Sequence, residues 1–442
     1  MDCRPDTVLR VFGWRSSRWC RQLRAALARV DDRHARIRLG TASTLSRDAA
    51  EDAQLVGLDA TPLASGHSVR GIGRYVEGVI SALLTQEPRW CLDHLGLLWV
   101  NGQGGLASTL PKSREVWARS APPFRQQDLG WAWAAIADRV ALIGRRPDLW
   151  HQTDPGSPIS PLATRHTITT AYDLIPLHEP DVMARIRPHR RLIYRLYLRS
   201  LRRARMIVAI SETTADDLVE TLGIPRERIR VVYPVVRPLV APSIELPALS
   251  GAGTTLQTAY PRFLFVGIPD PHKRPDLAVA AFARFSSDHH AGRLTFVGTY
   301  PDAIRRRLRD QSERLGVARA VEFVDRVDDG TLAGMYASGV LLTLSRREGF
   351  GLPPVEALLT GGQAVAVPGA IYDEVLGDAA VRAESDDPDS IARAMSLACD
   401  MRPDSAAIER MRARYSPAAT SSTLRAVYEE TLGFIEAGDH AD

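Results

Sequence analysis

Two glutamates flank a glycine-containing stretch in SRREGFGLPPVEALLTGG, residues 345 to 362. Glu348 precedes a segment with two glycines and two prolines, and Glu356 follows it. The run VLLTLS (340–345) is typical of a buried strand, and VEALLTG is typical of a helix. The segment between them is therefore the loop at a strand's carboxyl end. Its glycines allow positive φ and a close ligand approach, and proline is tolerated in a first helical turn.

The chemistry of this loop indicates a ligand with two kinds of polar group. Exposed backbone N–H groups and the positive end of a helix form an anion site suited to phosphate. Two carboxylates would repel phosphate, so we interpret them as acceptors for hydroxyl groups. A ligand that carries phosphates beside hydroxylated rings is a nucleotide sugar.

Segments in the same order along the chain resemble the retaining GT-B glycosyltransferases of family 4. Glu348 and Glu356 stand in the E-x7-E spacing of that family. The resemblance covers most of the chain after residue 52. The other matching segments are GIGRYVEGVISALL (71–84), ISETTADDL (210–218), VGIPDPHKRPDLAVAAF (266–282) and GAIYDEVLGDAA (369–380).

The resemblance implies roles on the donor side. Glu356 would hold the ribose hydroxyls of the nucleotide, and Glu348 with the backbone that follows it would bind the donor sugar. The backbone positions included are Gly349, Phe350, Gly351 and Leu352.

A basic pair after the first strand of the C-terminal domain grips the diphosphate in that family. Lys273 keeps its half of the pair and would neutralise charge on the leaving group. His272 stands where arginine is usual, and a neutral imidazole would bind phosphate less strongly. The neighbouring Arg274 is an alternative phosphate ligand.

Gly71 and Gly73 form an incomplete dinucleotide fingerprint, since Val76 replaces the third glycine. We interpret them as a loop leading into a helix whose N-terminus faces the cleft, near the donor phosphates or the acceptor. An ordinary tight turn is the alternative.

The acceptor side is less clearly marked. TTAYDLIPLHEPD (169–181) resembles the family's acceptor loop, with Tyr172 where histidine is usual and Asp173 at the strand's end. His151 ends another strand and either reaches the cleft or is a satisfied structural histidine. Asp173 would contact the acceptor or orient a neighbour. No general base is assigned, because Tyr172 removes a group that titrates near neutrality. The resemblance implies that the leaving diphosphate accepts the acceptor's proton. No metal and no cofactor is expected, since no D-x-D follows a strand.

Short apolar runs alternate with helical patterns on both sides of an aperiodic segment. Two such β/α arrays predict two doubly wound parallel-sheet (Rossmann-like) domains, an α/β architecture with a ligand cleft between them. The predicted boundaries are a basic extension (1–50), an N-terminal acceptor-side domain (51–241), a linker (242–261), a C-terminal nucleotide-sugar domain (262–415) and a C-terminal helix packing back toward the N-terminal domain (416–442).

Composition restricts the function further. The 442 residues carry a net charge of +4 with pI near 9.0, which suits anionic partners without identifying one. Four scattered cysteines argue against a disulfide framework or zinc site and fit a reducing cytoplasm. No apolar run reaches the ~20 residues that span a bilayer. Nucleic acid is not expected, because no aromatic stacking platform accompanies the charge.

Two basic segments leave alternatives open. Residues 1–50 are either an amphipathic helix on an anionic membrane or an extension that the fold does not use. RIRPHRRLIYRLYLRSLRRAR (185–205) is either a surface helix on its sheet or a contact with the membrane or a lipid-pyrophosphate acceptor. Its predicted stripe is Leu192, Leu196 and Arg199, flanked by Ile193, Tyr197 and Leu201.

The leading hypothesis is a retaining hexosyltransferase that acts on a saccharide or lipid-linked acceptor, with GDP-mannose as the preferred donor. A sugar-nucleotide epimerase shares the architecture but needs no acceptor. A non-catalytic sugar-nucleotide-binding relative is the third possibility, which the Tyr172 and His272 departures leave open.

Overall fold

The computed structural model describes residues 54–64, 71–100, 115–119, 147–156, 166–240, 261–289 and 292–439. The N-terminal extension predicted for residues 1–50 lies outside these residues, as does nearly all of the predicted linker.

The N-terminal half contains a seven-stranded parallel sheet with the order β3-β2-β1-β4-β5-β6-β7. Its central strands are short runs of buried residues, as expected of strands covered on both faces. The strands are β1 (Val56–Asp59), β2 (Leu95–Val100), β3 (Glu115–Arg119), β4 (Leu149–Gln152), β5 (His166–Ala171), β6 (Met206–Ala209) and β7 (Ile229–Val231). The described helices are α1 (Gly71–Gln86), α2 (Pro88–His94), α3 (Ile175–His178), α4 (Pro180–Arg185), α5 (Pro188–Arg203) and α6 (Glu212–Leu222).

The C-terminal half contains a six-stranded parallel sheet with the order β10-β9-β8-β11-β12-β13. Its strands are β8 (Arg262–Val266), β9 (Arg293–Val297), β10 (Val321–Val324), β11 (Val340–Thr343), β12 (Gln363–Ala366) and β13 (Val381–Arg382). The helices are α7 (Pro275–His289), α8 (Asp302–Arg314), α9 (Asp329–Ala337), α10 (Leu352–Leu359), α11 (Ala370–Leu376), α12 (Pro388–Asp400), α13 (Ser405–Arg414) and α14 (Pro417–Asp439).

The prediction of two doubly wound parallel sheets is confirmed. In the N-terminal sheet, the first strand β1 lies between β2 and β4. In the C-terminal sheet, the first strand β8 lies between β9 and β11. In both sheets, therefore, the strand order runs outward in one direction and then reverses at the first strand. This reversal of strand order leaves a crevice at the carboxyl ends of the strands, where ligands bind in open α/β sheets.

The two halves share one continuous apolar core. Buried side chains from both halves belong to a single packed cluster, among them Tyr75, Tyr172, Phe350 and Tyr415. The last helix, α14, returns to the N-terminal half, where Tyr428 stacks on Trp90 of α2 with ring centroids 5.5 Å apart. The crevice between the sheets is thus fixed by packing at its base.

The arginine-rich helix α5 packs by a different stripe from the one that its sequence predicts. Tyr197, Leu198 and Leu201 are buried, whereas Leu192 is 51% exposed. The three buried side chains pack in one apolar cluster with Ala171 of β5 and Ile207 of β6, which determines the buried face of the helix. None of the described helices combines the length and apolarity needed to cross a bilayer.

Candidate functional site

The glycine turn at the carboxyl end of β11 lies where the two halves of the chain meet. Gly351 adopts φ 84°, a left-handed conformation, and ends the turn immediately before α10. The Gly349 carbonyl accepts hydrogen bonds from Ser211 Oγ at 2.6 Å and Thr214 Oγ1 at 3.3 Å, both in the N-terminal half. Residues of the opposite domain therefore hold the backbone between Glu348 and Leu352.

Glu348 is paired with Lys273 at the entrance of this turn. The lysine Nζ lies 2.9 Å from Glu348 Oε1, and Ser345 Oγ donates to the same oxygen at 2.7 Å. Burial pushes the pKa of Glu348 up, but Lys273 and Ser345 outweigh it and hold the pKa below its usual value. Burial acts to lower the pKa of Lys273, which Glu348 raises above its usual value. Both groups are ionised at neutral pH.

His272 and Arg274 stand beside Lys273 in the turn after β8 but face different partners. His272 is buried, which lowers its pKa, so a neutral imidazole occupies this position at physiological pH. Arg274 has φ 55°, and its Nε donates to the Leu344 carbonyl at 2.7 Å while its guanidinium pairs with Asp386. A role for Arg274 at the diphosphate would require it to leave these contacts.

Glu356 lies on α10 and is 8% exposed at its side chain. Arg74 of α1 donates to Glu356 Oε1 and also reaches Asp329 Oδ1, 2.7 Å away. Burial raises the pKa of Glu356, and Arg74 opposes that rise. Tyr336 lies beside the carboxylate, and burial together with the charge of Glu356 raises the tyrosine pKa well above its usual value.

The first turn of α1 faces the first turn of α10. A Cβ placed at Gly71 would lie 3.8 Å from Leu352 Cδ1, so the two helix N-termini are neighbours across the domains. Gly73 is buried in the same turn. Gly71, Gly73 and the segment from Glu348 to Glu356 are therefore brought together, as a shared donor site requires.

Tyr172 and Asp173 lie on the opposite side of the glycine turn. The Tyr172 hydroxyl donates to the Thr153 carbonyl at 2.8 Å, and its ring meets Tyr75 edge to face. Asp173 Oδ1 accepts the Ile175 N–H at 3.0 Å. The phenol of Tyr172 is therefore buried and hydrogen-bonded within the core, whereas Asp173 lines a cavity.

His151 does not reach that cavity. It is fully buried, with Nδ1 2.7 Å from the Tyr428 hydroxyl and Nε2 2.8 Å from Thr170 Oγ1. Burial lowers its pKa to about 3, so it stays neutral. Of the two interpretations left open by the sequence, the structure favours a satisfied structural histidine.

A cavity of about 500 Å³ lies between the halves beside Glu348. Its lining contains both negatively and positively charged side chains, and the carboxylates outnumber the cations. The charged lining residues are Asp173, Glu179, Asp217, Glu348, Arg346 and Arg347. His178 Nε2 lies 2.7 Å from Asp217 Oδ1 at the same wall.

Asp173 gives this region a pH-dependent stability. Burial is the main reason that its pKa rises from 3.8 to about 6. The folded state then binds an extra proton between about pH 4 and pH 6, so the free energy of unfolding falls as pH rises through this window. We expect Asp173→Asn, which keeps the acceptor for Ile175, to raise the melting temperature at pH 8. The difference from the parent should vanish at pH 4 in thermal melts, and an equal gain at both pH values would contradict this account.

Arg74 is the site residue that the sequence argument missed. The sequence feature that could have identified it is a positive charge in the first turn of a helix, where the helix dipole disfavours cations. Such a residue needs an anionic partner from elsewhere in the fold, and here Glu356 and Asp329 supply it. Within the described residues, no group of three histidine, cysteine or carboxylate side chains is placed to hold a metal ion.

Comparison with known families matches the two halves separately. The family described as "Glycosyltransferase Family 4" matches residues 69–238, and "Glycosyl transferases group 1" matches residues 252–420. The two ranges take in the first turn of α1, where Gly71 and Gly73 lie in the helix itself and not in a preceding loop, and the whole segment from Lys273 to Glu356.

Two similar curated proteins are glycosyltransferases that match part of the chain. A D-inositol 3-phosphate glycosyltransferase of Acidothermus cellulolyticus is 36% identical over 36% of this chain. The O-antigen chain mannosyltransferase RfbU of Salmonella typhimurium is 24% identical over 52% of it. The matches span 37% and 60% of these relatives' own lengths, less than two thirds in each case.

Solved structures share the fold over most of the chain. Sucrose-phosphate synthase from Thermosynechococcus elongatus superposes with a TM-score of 0.66 at 18% identity, covering 86% of this chain and 99% of that one. Anabaena HepE in complex with UDP and glucose gives 0.58 at 16% identity, covering 86% and 100%. The paired sheets, the family matches to both halves and these superpositions agree: the chain belongs to the group 1, family 4 glycosyltransferases and has the GT-B fold.

Proposed function

We propose that the protein transfers a hexose from a nucleotide sugar to a hydroxyl group of a saccharide or lipid-linked saccharide, with retention of anomeric configuration. The observation that carries the proposal is the Lys273–Glu348 pair, 2.9 Å apart at a glycine turn shared by both domains. It sets a fixed cation and a hydroxyl acceptor beside the N-terminus of α10, an arrangement that suits a sugar diphosphate.

The donor would lie along the crevice with its nucleotide toward Glu356. The ribose hydroxyls would donate to that carboxylate, and the diphosphate would meet Lys273 and the backbone N–H groups of Gly351 and Leu352. The next two residues of α10 are prolines, which have no N–H. Glu348 and the backbone of Gly349 to Gly351 would hold the sugar hydroxyls. An ammonium has three N–H donors, so Lys273 can keep Glu348 while it contacts phosphate.

Transfer needs no protein nucleophile in this arrangement. The acceptor oxygen attacks the anomeric carbon on the face from which the diphosphate departs, and the bond to the diphosphate oxygen breaks. That oxygen keeps the electron pair and takes the proton of the attacking hydroxyl. Lys273 stabilises the charge that develops on the leaving group, and both domains supply orientation.

The acceptor fits best in the cavity beside Glu348. Its volume of about 500 Å³ is at the lower end of the range for small-molecule sites. Its wall of Asp173, Glu179 and Asp217 offers hydrogen-bond acceptors to a polyhydroxylated ring. The cavity also adjoins Glu348, which would contact the transferred sugar, so an acceptor hydroxyl there lies near the reacting carbon.

GDP-mannose is our preferred donor. Two of the curated relatives are mannosyltransferases, the O-antigen enzyme RfbU and the serotype-specific enzyme WbdA of Escherichia coli. The HepE structure contains UDP and glucose, so the uridine nucleotide is the alternative that the experiment must separate.

A donor panel tests the proposal. Purified protein is incubated with GDP-mannose or UDP-glucose, with and without saccharide acceptors, and nucleoside diphosphate release is measured with and without EDTA. We expect acceptor-dependent release that EDTA leaves unchanged, with an α-linked product from an α-linked donor. Epimerised donor without acceptor would identify an isomerase instead. Binding without turnover would support a non-catalytic relative.

Glu356→Ala should weaken donor binding, because the ribose hydroxyls lose a charged acceptor worth about 1.5–3 kcal/mol. The expected rise in donor KM is therefore about 10- to 100-fold with a smaller change in kcat. Glu87→Ala is the matched control, since Glu87 also pairs with an arginine, Arg425 at 2.7 Å, but lies outside the crevice. Steady-state kinetics in which the two variants behave alike would refute the ribose assignment.

The exposed arginines of α5 are where we propose contact with an anionic membrane surface. Acidic lipid attracts clustered arginines at about 1 kcal/mol each. We expect Arg195→Glu/Arg199→Glu/Arg202→Glu to reduce flotation with phosphatidylglycerol vesicles. The control Arg306→Glu/Arg307→Glu on α8 should float like the parent, and equal loss in both variants would contradict a specific surface.

A further inference from the structure

Arg74 crosses from the N-terminal half to the carboxylate proposed for the donor ribose. It lies in the first turn of α1, and its guanidinium bridges Glu356 and Asp329, 282 and 255 residues away in sequence. The arginine side chain is 36% exposed, whereas Glu356 is 8% exposed. The pair is thus reachable from the crevice on the arginine side only.

The ribose hydroxyls and Arg74 would meet at one carboxylate. A carboxylate has two oxygens, and Glu356 Oε1 is the one that accepts from Arg74, so a ribose hydroxyl that bonds to Oε1 must compete with the guanidinium. A buried carboxylate without any partner is costly, which explains why a donor-free site holds a cation there. Asp329 already pairs with the guanidinium, so an arginine displaced from Glu356 keeps one anion and needs a second one to remain fully paired.

The second anion would be the diphosphate. Gly71 lies against Leu352, so α1 carries Arg74 beside the first turn of α10, where the phosphates would bind. Glu356 follows Gly351 by five residues, about 7.5 Å along the helix at 1.5 Å per residue, within the swing of an arginine side chain. The planar guanidinium, which now spans two carboxylates, has the geometry for bidentate phosphate contact.

We infer that Arg74 is an exchangeable counter-ion of the donor site: it neutralises Glu356 in the donor-free protein and moves to the diphosphate when the ribose hydroxyls take its place. The inference rests on the proposed function, because it requires Glu356 to bind the ribose. It assigns Arg74 as a donor-binding residue that contributes to the site from α1 of the N-terminal half.

If Arg74 exchanges in this way, its removal should affect the binding of nucleoside diphosphates and of nucleosides differently. In Arg74→Ala, affinity for GDP and UDP should fall about 10- to 100-fold, since a charged contact to the diphosphate is lost. Affinity for guanosine and uridine should hold or rise, since the competitor for Glu356 is gone. Calorimetry on the full chain measures both. A purely structural Arg74 would weaken nucleoside and nucleoside diphosphate equally, and that result would overturn the inference, as would unchanged diphosphate binding.

Matched variants keep the test decisive. Arg425→Ala removes another ion pair that ties α14 to the N-terminal half, at 41% exposure of the arginine, and should leave all four affinities unchanged. Arg74→Lys keeps the positive charge but loses the two parallel N–H donors of the guanidinium. It should therefore lower the affinities for GDP and UDP several-fold and leave those for guanosine and uridine unchanged. This variant provides the test if Arg74→Ala does not fold. If Glu356→Ala binds GDP and UDP like the parent, the proposed function fails. If Glu356→Ala loses them while Arg74→Ala behaves like Arg425→Ala, only the exchange fails.

Discussion

Lys273→Ala should lower kcat by about 10²- to 10³-fold, the effect of removing one preorganised group that stabilises developing charge. The lysine Nζ is 2.9 Å from Glu348 Oε1 and belongs to the turn that opens the C-terminal domain. It would therefore meet the diphosphate oxygen that gains negative charge as the glycosidic bond breaks. Donor KM should change less than kcat, because the developing charge is larger in the transition state than in the bound donor. Steady-state kinetics with saturating acceptor measure both.

The control for Lys273→Ala separates charge from packing. Removing the cation also leaves Glu348 buried beside Ser345 alone, which should raise the glutamate's pKa. The double variant Lys273→Ala/Glu348→Gln restores neutrality without restoring the cation, so it should remain as slow as the single variant if charge stabilisation is what was lost. Recovery of the parent kcat in the double variant would show that Lys273 serves only to neutralise Glu348.

Gly349→Ala should reduce turnover about 10²-fold, because a displacement near 1 Å at the reacting groups costs that much. A Cβ at residue 349 would lie 3.0 Å from the Tyr172 carbonyl carbon and closer still to its oxygen, with Asp173 Cβ at 3.3 Å. The obstructing atoms are backbone, which cannot rotate away, so the turn must leave its contact with the N-terminal domain. Overpacking of this kind also costs about 1–3 kcal/mol of stability.

Gly433→Ala is the matched control for Gly349→Ala. No heavy atom lies within 4 Å of a Cβ placed at Gly433 on α14, and alanine favours a helix over glycine. This variant should keep full activity and melt at or slightly above the parent temperature. Activity assays and thermal melts on both variants check the pair of predictions. Normal turnover in Gly349→Ala would mean that the tight approach to Tyr172 does not position the site.

Sequence patterns identified most of the strands because buried parallel strands are short continuous apolar runs. The run VLLTLS (340–345), for example, contains β11, whose four residues are all buried. The strands that were missed lie at sheet edges. β3 (Glu115–Arg119) begins and ends with a charged residue, and β13 contains only Val381 and Arg382. Neither sequence is a continuous apolar run, so the pattern that identifies buried strands does not reveal them.

The site itself was predictable only where local sequence determines it. The E-x7-E segment places Glu348 and Glu356 on one strand–turn–helix unit, and that arrangement needs no tertiary information. The contacts of Arg74 depend on how two domains pack, which no local pattern encodes. Likewise, His151 and Arg274 look available in sequence, but the first bonds to α14 and β5 and the second to Asp386. Their partners lie between 19 and 277 residues away in sequence.

A crystal structure of the protein soaked with GDP-mannose, and with UDP-glucose in parallel, tests the central claim most directly. The account predicts electron density for a nucleotide in the interdomain crevice, with ribose hydroxyls within hydrogen-bond distance of Glu356 and a phosphate within reach of Lys273 Nζ. A nucleotide bound outside that crevice, or one whose diphosphate lies away from the turn after Glu348, would contradict it.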